Sequence, residues 1–414
     1  MTSQERRVFG ARVADLRKQR GLTQNELAAA IGRTASWLSQ VERGVQPVNR
    51  LDVLRLLADG LSVPLHVLQP DAVPAEEVTP TPASQVETND LDQARLILSG
   101  HPAAEVLLSP RQDFRAAAMP ELRGAVERVW GLTHAGRFTE LTAMLGPLVP
   151  RLERATRTAP QECRAELHGL TARTYQALAA AFVRQAEADA AWVAADRAIR
   201  EAELSGDPLA VFAGTYRLAH AFVSLKRLDQ AEHVTTVAVN ALGRSIEDME
   251  PSPRHLSVLG SLHLMLALVH ARSGARAAAR EQIEKARVVA ARLGEERNDF
   301  NLEFGPTNVE IQAVSTAVDL GDAGEALDLS EGLDTSGLSM ERQARHLIDL
   351  GRAHAQRRHF GDALDCLLKA EERAPDMVRT HVAARAVIRD LMLVAGRTAS
   401  DELRALAAHA DATS

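Results

Sequence analysis

The sequence predicts an all-α protein, with a small N-terminal helical bundle, a linker and a long array of paired helices. Apolar residues make up 46% of the 414 residues, while aromatic residues make up only 3%. The core must therefore consist mostly of leucine, alanine and valine, a composition that favours helices. Apolar positions recur at helical spacing along most of the chain, and no stretch alternates apolar with polar residues as a half-buried strand does.

The stretch 23–44, TQNELAAAIGRTASWLSQVERG, predicts two short helices joined by a tight turn. Thr23 and Glu26 stand three residues apart, which is the spacing of a capping box at a helix start. Gly32 supplies the backbone freedom that a sharp reversal needs. Thr34 is a good N-cap for the second helix.

A helix entered by so short a turn exposes its outer face as a compact rod that fits the major groove of DNA. Gln40 can pair with an adenine edge through two hydrogen bonds, and Ala35 can contact a thymine methyl group. The serines of this helix can bond purines or phosphates, and the amide end of the first helix is a natural phosphate site. The candidate DNA-binding residues are Thr23, Gln24, Arg33, Ala35, Ser36, Trp37, Ser39, Gln40 and Arg43.

The bundle resembles the Cro and phage-repressor type of helix-turn-helix domain, the XRE family, along residues 6–68. The resemblance rests on the run GLTQ-x-ELA-x-x-IG and the closing S-x-x-E-R-G, which stand at the family's spacing. It implies a lambda-repressor-like fold in which Gln24 and the exposed residues of the second helix contact DNA. It also implies an internal salt bridge between Arg17 and Glu42.

Two interpretations of this bundle stay open at the level of sequence. Trp37 replaces the small or polar residue that is usual in the family, so it either stacks on a sugar or thymine or packs beside Leu38. In addition, small bundles of this pattern sometimes serve only to bind other proteins.

The two ends of the chain differ in charge. Residues 1–69 contain ten Arg or Lys and six Asp or Glu, although the net charge of the whole chain is −7. A basic N-terminal end suits a DNA-binding domain.

The cysteines and the N-terminus indicate the compartment. Cys163 and Cys366 lie far apart without a CxxC pattern, which argues against a disulfide scaffold and against a structural zinc site. The chain begins with polar and charged residues, and no run approaches the roughly twenty apolar residues of a membrane span. We therefore expect a cytoplasmic protein without a membrane partner.

Composition divides the chain into three predicted parts. Residues 1–69 form the complete bundle, and residues 91–414 contain one helical pattern after another. Between them, residues 70–90 hold four prolines, five acids and no aromatic residue, which predicts a flexible linker.

The third part contains an internal repeat. In residues 349–375, small and apolar residues fall at the spacings of the tetratricopeptide repeat. The same frame recurs earlier, with paired alanines at 191 and 198, 231 and 238, and 279 and 286. The chain thus resembles tetratricopeptide proteins over residues 120–412. The resemblance implies six or seven hairpins stacked in a right-handed superhelix, with the first helix of each pair lining the concave side and the dimer surface in the repeats.

The repeat frame predicts an arginine-rich concave groove. Such a wall suits an anionic effector, because arginine binds carboxylate and phosphate through paired hydrogen bonds. The alternative is that these arginines pair with carboxylates on neighbouring helices. The segment 299–312 adds two further candidates, an aromatic side chain and an asparagine that can clamp a peptide backbone. The predicted effector-binding residues are Arg173, Gln176, Tyr216, His220, Arg272, Phe304, Asn308, Arg345 and Arg352, with Arg184 on the same face.

No enzyme signature is present. The fourteen histidines include no HExxH motif or His-rich tract, and the chain has no GK[ST] or GxSxG sequence. The sequence therefore predicts no catalytic residues, no metal and no cofactor.

The combination resembles one-component bacterial regulators, including those that sense peptide pheromones. It predicts a homodimeric transcriptional regulator that binds a palindromic double-stranded DNA operator. Its DNA affinity changes when a small effector, either a peptide or an anionic small molecule, occupies the groove. The alternative is a tetratricopeptide scaffold for another protein, with the DNA-binding head as an accessory.

Overall fold

The structure is a computed structural model that describes residues 3–31, 35–45, 57, 58, 60, 61, 63, 95, 98, 118–247 and 250–412. The chain divides into two compact units, Met1–Val86 and Glu87–Ser414. The described residues form helices and connections, with one isolated bridge between Arg297 and Phe304 and no strand. The predicted all-α class is therefore confirmed.

The first unit contains three helices whose bounds are described. They are α1 (Ser3–Gln19), α2 (Gln24–Ala30) and α3 (Ala35–Glu42). Leu57, Ala58 and Leu61, which lie in a further helical segment, join their core. The other buried apolar residues of this core are Phe9, Val13, Leu27, Ala28, Ile31, Leu38 and Val41.

Gly10 sets the distance between α1 and α3. A Cβ at this position would overlap the carbonyl oxygens of Val41 and Glu42, at the end of α3. The two helices pack with their backbones in contact, which fixes the end of α3 against the bundle.

The second unit is built from pairs of antiparallel helices. Its helices are α4 (Met119–His134), α5 (Phe138–Thr158), α6 (Gln161–Arg184), α7 (Ala188–Ser205), α8 (Pro208–Ser224), α9 (Leu228–Glu247), α10 (Pro253–Ser273), α11 (Arg276–Leu293), α12 (Pro306–Asp319), α13 (Ala323–Ser330), α14 (Met340–Gln356), α15 (Phe360–Arg373), α16 (Pro375–Thr380), α17 (Val382–Ala395) and α18 (Asp401–His409). Each helix from α4 to α15 packs against its partner, as do α17 and α18.

The alanines of the repeat frame explain how the pairs pack. Small side chains let two helices approach closely, so a repeat alanine must be buried if the frame is right. All eight are at most 4% exposed: Ala191, Ala198, Ala231, Ala238, Ala279, Ala286, Ala363 and Ala370.

The first helices of successive pairs form an inner layer. Contacts run from α4 to α6, α8, α10, α12, α14 and then α17. The connection between α11 and α12 also enters this layer, because Arg217 Nη2 donates to the Asn301 carbonyl at 2.7 Å and Arg342 Nη2 donates to the Leu302 carbonyl at 3.0 Å. Residues 299–304 therefore cover part of the inner surface.

The first pair of this unit also contacts α16, which precedes the last pair. The Thr139 amide, at the start of α5, lies 3.4 Å from Asp376 Oδ2 on α16, and Gly136 lies against Ala374. One hydrophobic core holds residues from both ends of the array. The inner layer is thus enclosed by helices from both ends.

Helix α10 is long and apolar enough to pass a length-and-composition test for a membrane span. This finding differs from the sequence-based expectation that no run approaches the length of a membrane span. Because 67% of its most apolar window is buried inside the unit, α10 has the pattern of a core helix.

Candidate nucleic-acid interface and interior cavity

The start of α2 is capped as the sequence predicts. The Thr23 amide and hydroxyl donate to Glu26 Oε2 at 2.7 and 2.8 Å, and the Glu26 amide donates to Thr23 Oγ1 at 3.2 Å. These bonds lower the pKa of Glu26, the amide donor of Thr23 acting most strongly. The carboxylate is therefore charged near the positive end of the α2 dipole, where it stabilises the helix.

Glu42 ties α1, α2 and the end of α3 together. It accepts from Arg17 Nε at 2.6 Å, from Arg17 Nη2 at 3.0 Å and from Gln24 Nε2 at 2.7 Å. Arg17 Nη1 also donates to the Leu22 carbonyl at 2.9 Å. The salt bridge implied by the resemblance is present, and it positions the Gln24 amide that was predicted to contact DNA.

Helix α3 buries one side and leaves the other accessible within its unit. Leu38 and Val41 are at most 1% exposed, whereas Ser39 and Gln40 are half-buried and Arg43 is exposed. Ala35 is half-buried at the start of the helix, and exposed Thr23 stands at the start of α2.

A left-handed glycine stops α3. Gly44 has φ +71°, its amide donates to the Val41 carbonyl at 2.9 Å, and the Val45 amide donates to the Gln40 carbonyl at 2.9 Å. This pair of bonds is a Schellman motif, which ends a helix cleanly.

Three predicted DNA-binding residues lie partly or wholly outside the described residues. Arg33 lies outside the described residues. Ser36 and Trp37 belong to α3, but their side chains are not described. The two interpretations of Trp37 therefore stay open.

The second unit contains an interior cavity of about 880 Å³, lined by the inner-layer helices α6, α8, α10, α12, α14 and α17. Its volume is in the usual range for small-molecule sites. Five predicted effector residues line it: Tyr216, His220, Arg272, Arg345 and Arg352. Apolar side chains, including Leu264, Leu268, Phe360, Val387 and Leu391, form much of the remaining wall.

Three of the four arginines that line the cavity pair with carboxylates. This pairing was the alternative interpretation of the arginine-rich groove. Arg184 Nε lies 3.0 Å from Glu341 Oε1. Asp319 receives Arg272 at 2.6 Å and Arg352 at 2.5 Å, and Arg352 also pairs with Asp349 at 2.8 Å. Although burial favours neutral acids, these arginines hold the pKa of Asp319 and Glu341 below their ordinary values, so both stay charged.

Arg345 differs from those three. Among the described residues it has no hydrogen bond or ion pair. Burial lowers its pKa, while the nearby charges of Glu341 and Asp349 act in the opposite direction. His381 Nδ1 on the same wall is buried without a hydrogen-bond partner in the described part of the chain. Burial, followed by the charge of Arg345, lowers the pKa of His381 to about 4 and the pKa of His220 well below its ordinary value, so both imidazoles are neutral.

Four predicted effector residues do not line the cavity. Arg173 pairs with Glu127 at 2.8 Å, and Gln176, 1% exposed, donates to the Ala210 carbonyl at 3.3 Å. Asn308 is 2% exposed and lies one turn before the cavity residue Gln312 on α12.

Phe304 is buried in the core and does not line the cavity, so its contact with an effector stays a prediction. Its side chain is 0% exposed, and its ring fills the place that a Cβ of Gly260 would occupy. The reason is the course of residues 299–304, which carries this ring into the core between α10 and α12. A repeat frame predicts which face a residue is on, but not whether an inserted segment covers that face.

His381 and Asp319 were not predicted from sequence. His381 precedes α17 in a region where the repeat frame offers no match, and Asp319 is the last residue of α12. A search for carboxylates one helix away from each predicted arginine would have found Asp319.

The structure also brings His354, His359 and Asp362 together, with one potential ligand atom of each within 4.8 Å of the others. No HExxH motif or His-rich tract in the sequence predicts this group. The pKa of His354 is lowered by burial, then by His359 and then by Arg357. Arg357 adds positive charge beside this group, which disfavours a metal cation there.

Comparisons with known proteins agree with this arrangement at the N-terminal end. Residues 8–69 match the family model described as a helix-turn-helix domain. No curated protein matches the chain. Among solved structures, it is similar to Bacillus thuringiensis PlcR in a crystal structure with the peptide PapR7 and DNA, at 12% identity and a TM-score of 0.29, covering 89% of this chain and 95% of that chain.

Proposed function

We propose that this chain, a helix-turn-helix protein with a helical repeat domain, is a cytoplasmic transcriptional regulator that binds a specific DNA operator as a homodimer. A small effector in the interior cavity changes its affinity for DNA. The observation that carries the proposal is α3, which buries Leu38 and Val41 and leaves Gln40 and Arg43 accessible within its unit. A helix-turn-helix domain points to DNA binding rather than to catalysis.

The accessible side of α3 has the chemistry of a reading helix. Gln40 can form two hydrogen bonds with adenine, and Ser39 can donate to or accept from a base edge. Arg43 and the amide end of α2 suit phosphates. Gly10 and the Glu42 network hold α3 rigidly, which favours an accurate fit in a groove.

The proposed dimer follows from how little DNA one such helix reads. A single reading helix contacts only a few base pairs, so useful specificity requires two copies across a two-fold axis. Half-sites about 34 Å apart, or a multiple of that distance, are then expected. The resulting operator is palindromic.

The effector part of the proposal is supported by the cavity. Its volume suits a small molecule or a short peptide, and its wall combines apolar side chains with a few charged groups, as ligand sites do. The same cavity residues would have to differ in position between two states for the ligand to change DNA affinity.

The test is selection of DNA by the full chain from a pool of random duplexes, followed by gel-shift and light-scattering measurements on the enriched duplex. The proposal predicts one enriched palindrome, bound at least a hundredfold more tightly than a scrambled duplex, with two chains on each duplex. No enrichment would contradict DNA reading. A stoichiometric protein partner retained by residues 91–414 would favour the scaffold alternative.

A further inference from the structure

We propose that Arg345, Tyr216, His220 and His381 form a subsite for one oxyanion, a carboxylate or phosphate group, at one end of the effector. The inference rests on the proposed function, because it names the ligand class of the same cavity. It is carried by four polar side chains that line the same cavity without a hydrogen bond or ion pair among the described residues, whereas three neighbouring arginines are paired with carboxylates.

Arg345 is the charge that this subsite is built around. Of the four arginines that line the cavity, Arg184, Arg272 and Arg352 each pair with a carboxylate. Arg345 has no hydrogen bond or ion pair to any residue that the structure describes. Its side chain is half-buried at the cavity wall, and an oxyanion in the cavity could bind the guanidinium through two parallel hydrogen bonds.

One further arginine, Arg217, adds positive charge near Tyr216, whereas Arg342 is neutralised by a carboxylate. Arg217 is 7% exposed and lies over the rings of Trp130 and Tyr216, and its described hydrogen bond goes to the neutral carbonyl of Asn301. Arg342 is paired with Glu303 at 2.9 Å. Burial lowers the pKa of Arg217 to about 10, which leaves it charged at neutral pH. The site therefore favours an anion beyond what Arg345 alone provides.

The other three side chains are neutral hydrogen-bond groups. Tyr216 and His220 contact each other edge to face, with ring centroids 4.9 Å apart, and the hydroxyl of Tyr216 has no partner in the described part of the domain. His381 Nδ1 is buried without a partner among the same residues. A neutral imidazole and a phenol each offer one donor, so together they can complete the coordination of an oxyanion held by Arg345.

Of the three aspartates that line the cavity, Asp319, Asp349 and Asp390, two are paired with other arginines. Asp319 and Asp349 are held by Arg272 and Arg352, at distances of 2.5 to 2.8 Å. A cationic ligand would have to break these pairs and would meet Arg345 directly. A neutral ligand would leave the guanidinium unpaired.

The cavity is much larger than one oxyanion, so the anionic group is one end of the ligand. Leu264, Leu268 and Leu391 line the cavity together with Phe360 and Val387. These side chains suit an apolar body attached to the anion. The ligand class is thus an apolar molecule or short peptide that carries a single carboxylate or phosphate.

The experiment uses the full chain and simple probes at constant ionic strength. Calorimetry would measure binding of inorganic phosphate and of hexanoate, with chloride as the reference and hexanol as the uncharged analogue. We expect at least one of the two anions to bind. If hexanoate binds, hexanol should bind at least tenfold more weakly than hexanoate. Saturation by phosphate alone would assign a phosphoryl ligand, and saturation by hexanoate alone a carboxylate.

Arg345→Met is the decisive variant, and Arg200→Met is its control, because Arg200 is exposed and paired with Asp196 away from the cavity. Arg345→Met should weaken anion binding at least tenfold while leaving the ligand-free domain as stable as before, since it breaks no ion pair. Tyr216→Phe should weaken binding severalfold. Equal binding by Arg345→Met and the unchanged chain, or no anion binding at all, would overturn the inference. Gel shifts on the selected duplex, done in parallel, would show whether DNA binding itself stands.

Discussion

Arg17 on α1 and Glu42 at the end of α3 form a buried ion pair, with Nε and Oε1 2.6 Å apart. Both side chains are at most 10% exposed, and Gln24 from α2 donates to the same carboxylate. The pair therefore joins the scaffold of the bundle to the two helices that would meet DNA.

Replacing Glu42 with glutamine should destabilise the bundle by about 3 kcal/mol, because Arg17 would be left buried without a charged partner. Amide hydrogen exchange of α1 and α3 in the full chain measures this. Lys18→Met, at an exposed neighbouring position, is the control and should change stability little. Equal exchange in Glu42→Gln and Lys18→Met would show that the pair contributes nothing.

Acid should loosen the same bundle. Burial alone would raise the pKa of Glu42, but hydrogen bonds from Arg17 and Gln24 outweigh it and hold the pKa below the ordinary value of 4.5. The stabilisation is thus complete above about pH 4.5 and is lost as the pH falls through the folded-state pKa. The protection factors of the amides in α1 and α3, which correct for intrinsic exchange at each pH, should fall over that range in the unchanged chain and not in Glu42→Gln. If protection fell equally with pH in both proteins, the acid effect could not be assigned to Glu42.

The packing of Phe304 under α10 predicts the effect of adding one methyl group. Gly260→Ala would collide with the ring and should destabilise the second domain by about 2 to 3 kcal/mol. Phe304→Ala should cost about 4 kcal/mol through the cavity that it leaves. Gly243→Ala on α9 has open space and should stabilise by about 0.5 kcal/mol. Calorimetric unfolding measures all three, and a Phe304→Ala domain of unchanged stability would contradict this packing.

His381 should make the second domain sensitive to mild acid. Its pKa is lowered by burial from 6.5 to about 4, so between these values the unfolded chain binds more protons than the folded one. Stability therefore falls as the pH falls, and at pH 5 this side chain should cost about 2 kcal/mol. His134, His220 and His346 act in the same direction, so the measurement is the difference between the unchanged chain and His381→Gln in unfolding at pH 5 and 7. Identical losses in both proteins would contradict a neutral His381.

The capping box of α2 and the burial of the repeat alanines could be predicted from the sequence. Thr23 and Glu26 form the capping box that their spacing implies, and the repeat alanines such as Ala191 and Ala363 are fully buried. These features depend on residues close in sequence or on a periodic frame. Tyr216, His220 and Arg345 lie on the cavity wall for the same reason, although their role in binding an effector stays a prediction.

The positions of Phe304, Gln176 and His381 depend on contacts that no local sequence pattern encodes. Phe304 and Gln176 are buried and do not line the cavity. Residues 299–304 carry the Phe304 ring into the core and bond to Arg217 and Arg342 of the inner layer. His381 reaches the cavity because the last helices contact the first pair of the array. Neither the inserted segment nor the closure between the two ends follows from the spacing of apolar residues.

The most direct test of the central claim is fluorescence anisotropy of the selected duplex with Gln40→Ala and Arg43→Ala, over a range of salt concentrations. If α3 reads DNA, Gln40→Ala should cost about 1 to 3 kcal/mol on the selected duplex and little on a scrambled one. Arg43→Ala should weaken binding to both duplexes and reduce the salt slope by about one. Unchanged affinity and an unchanged salt slope in both variants would show that α3 is not the reading helix.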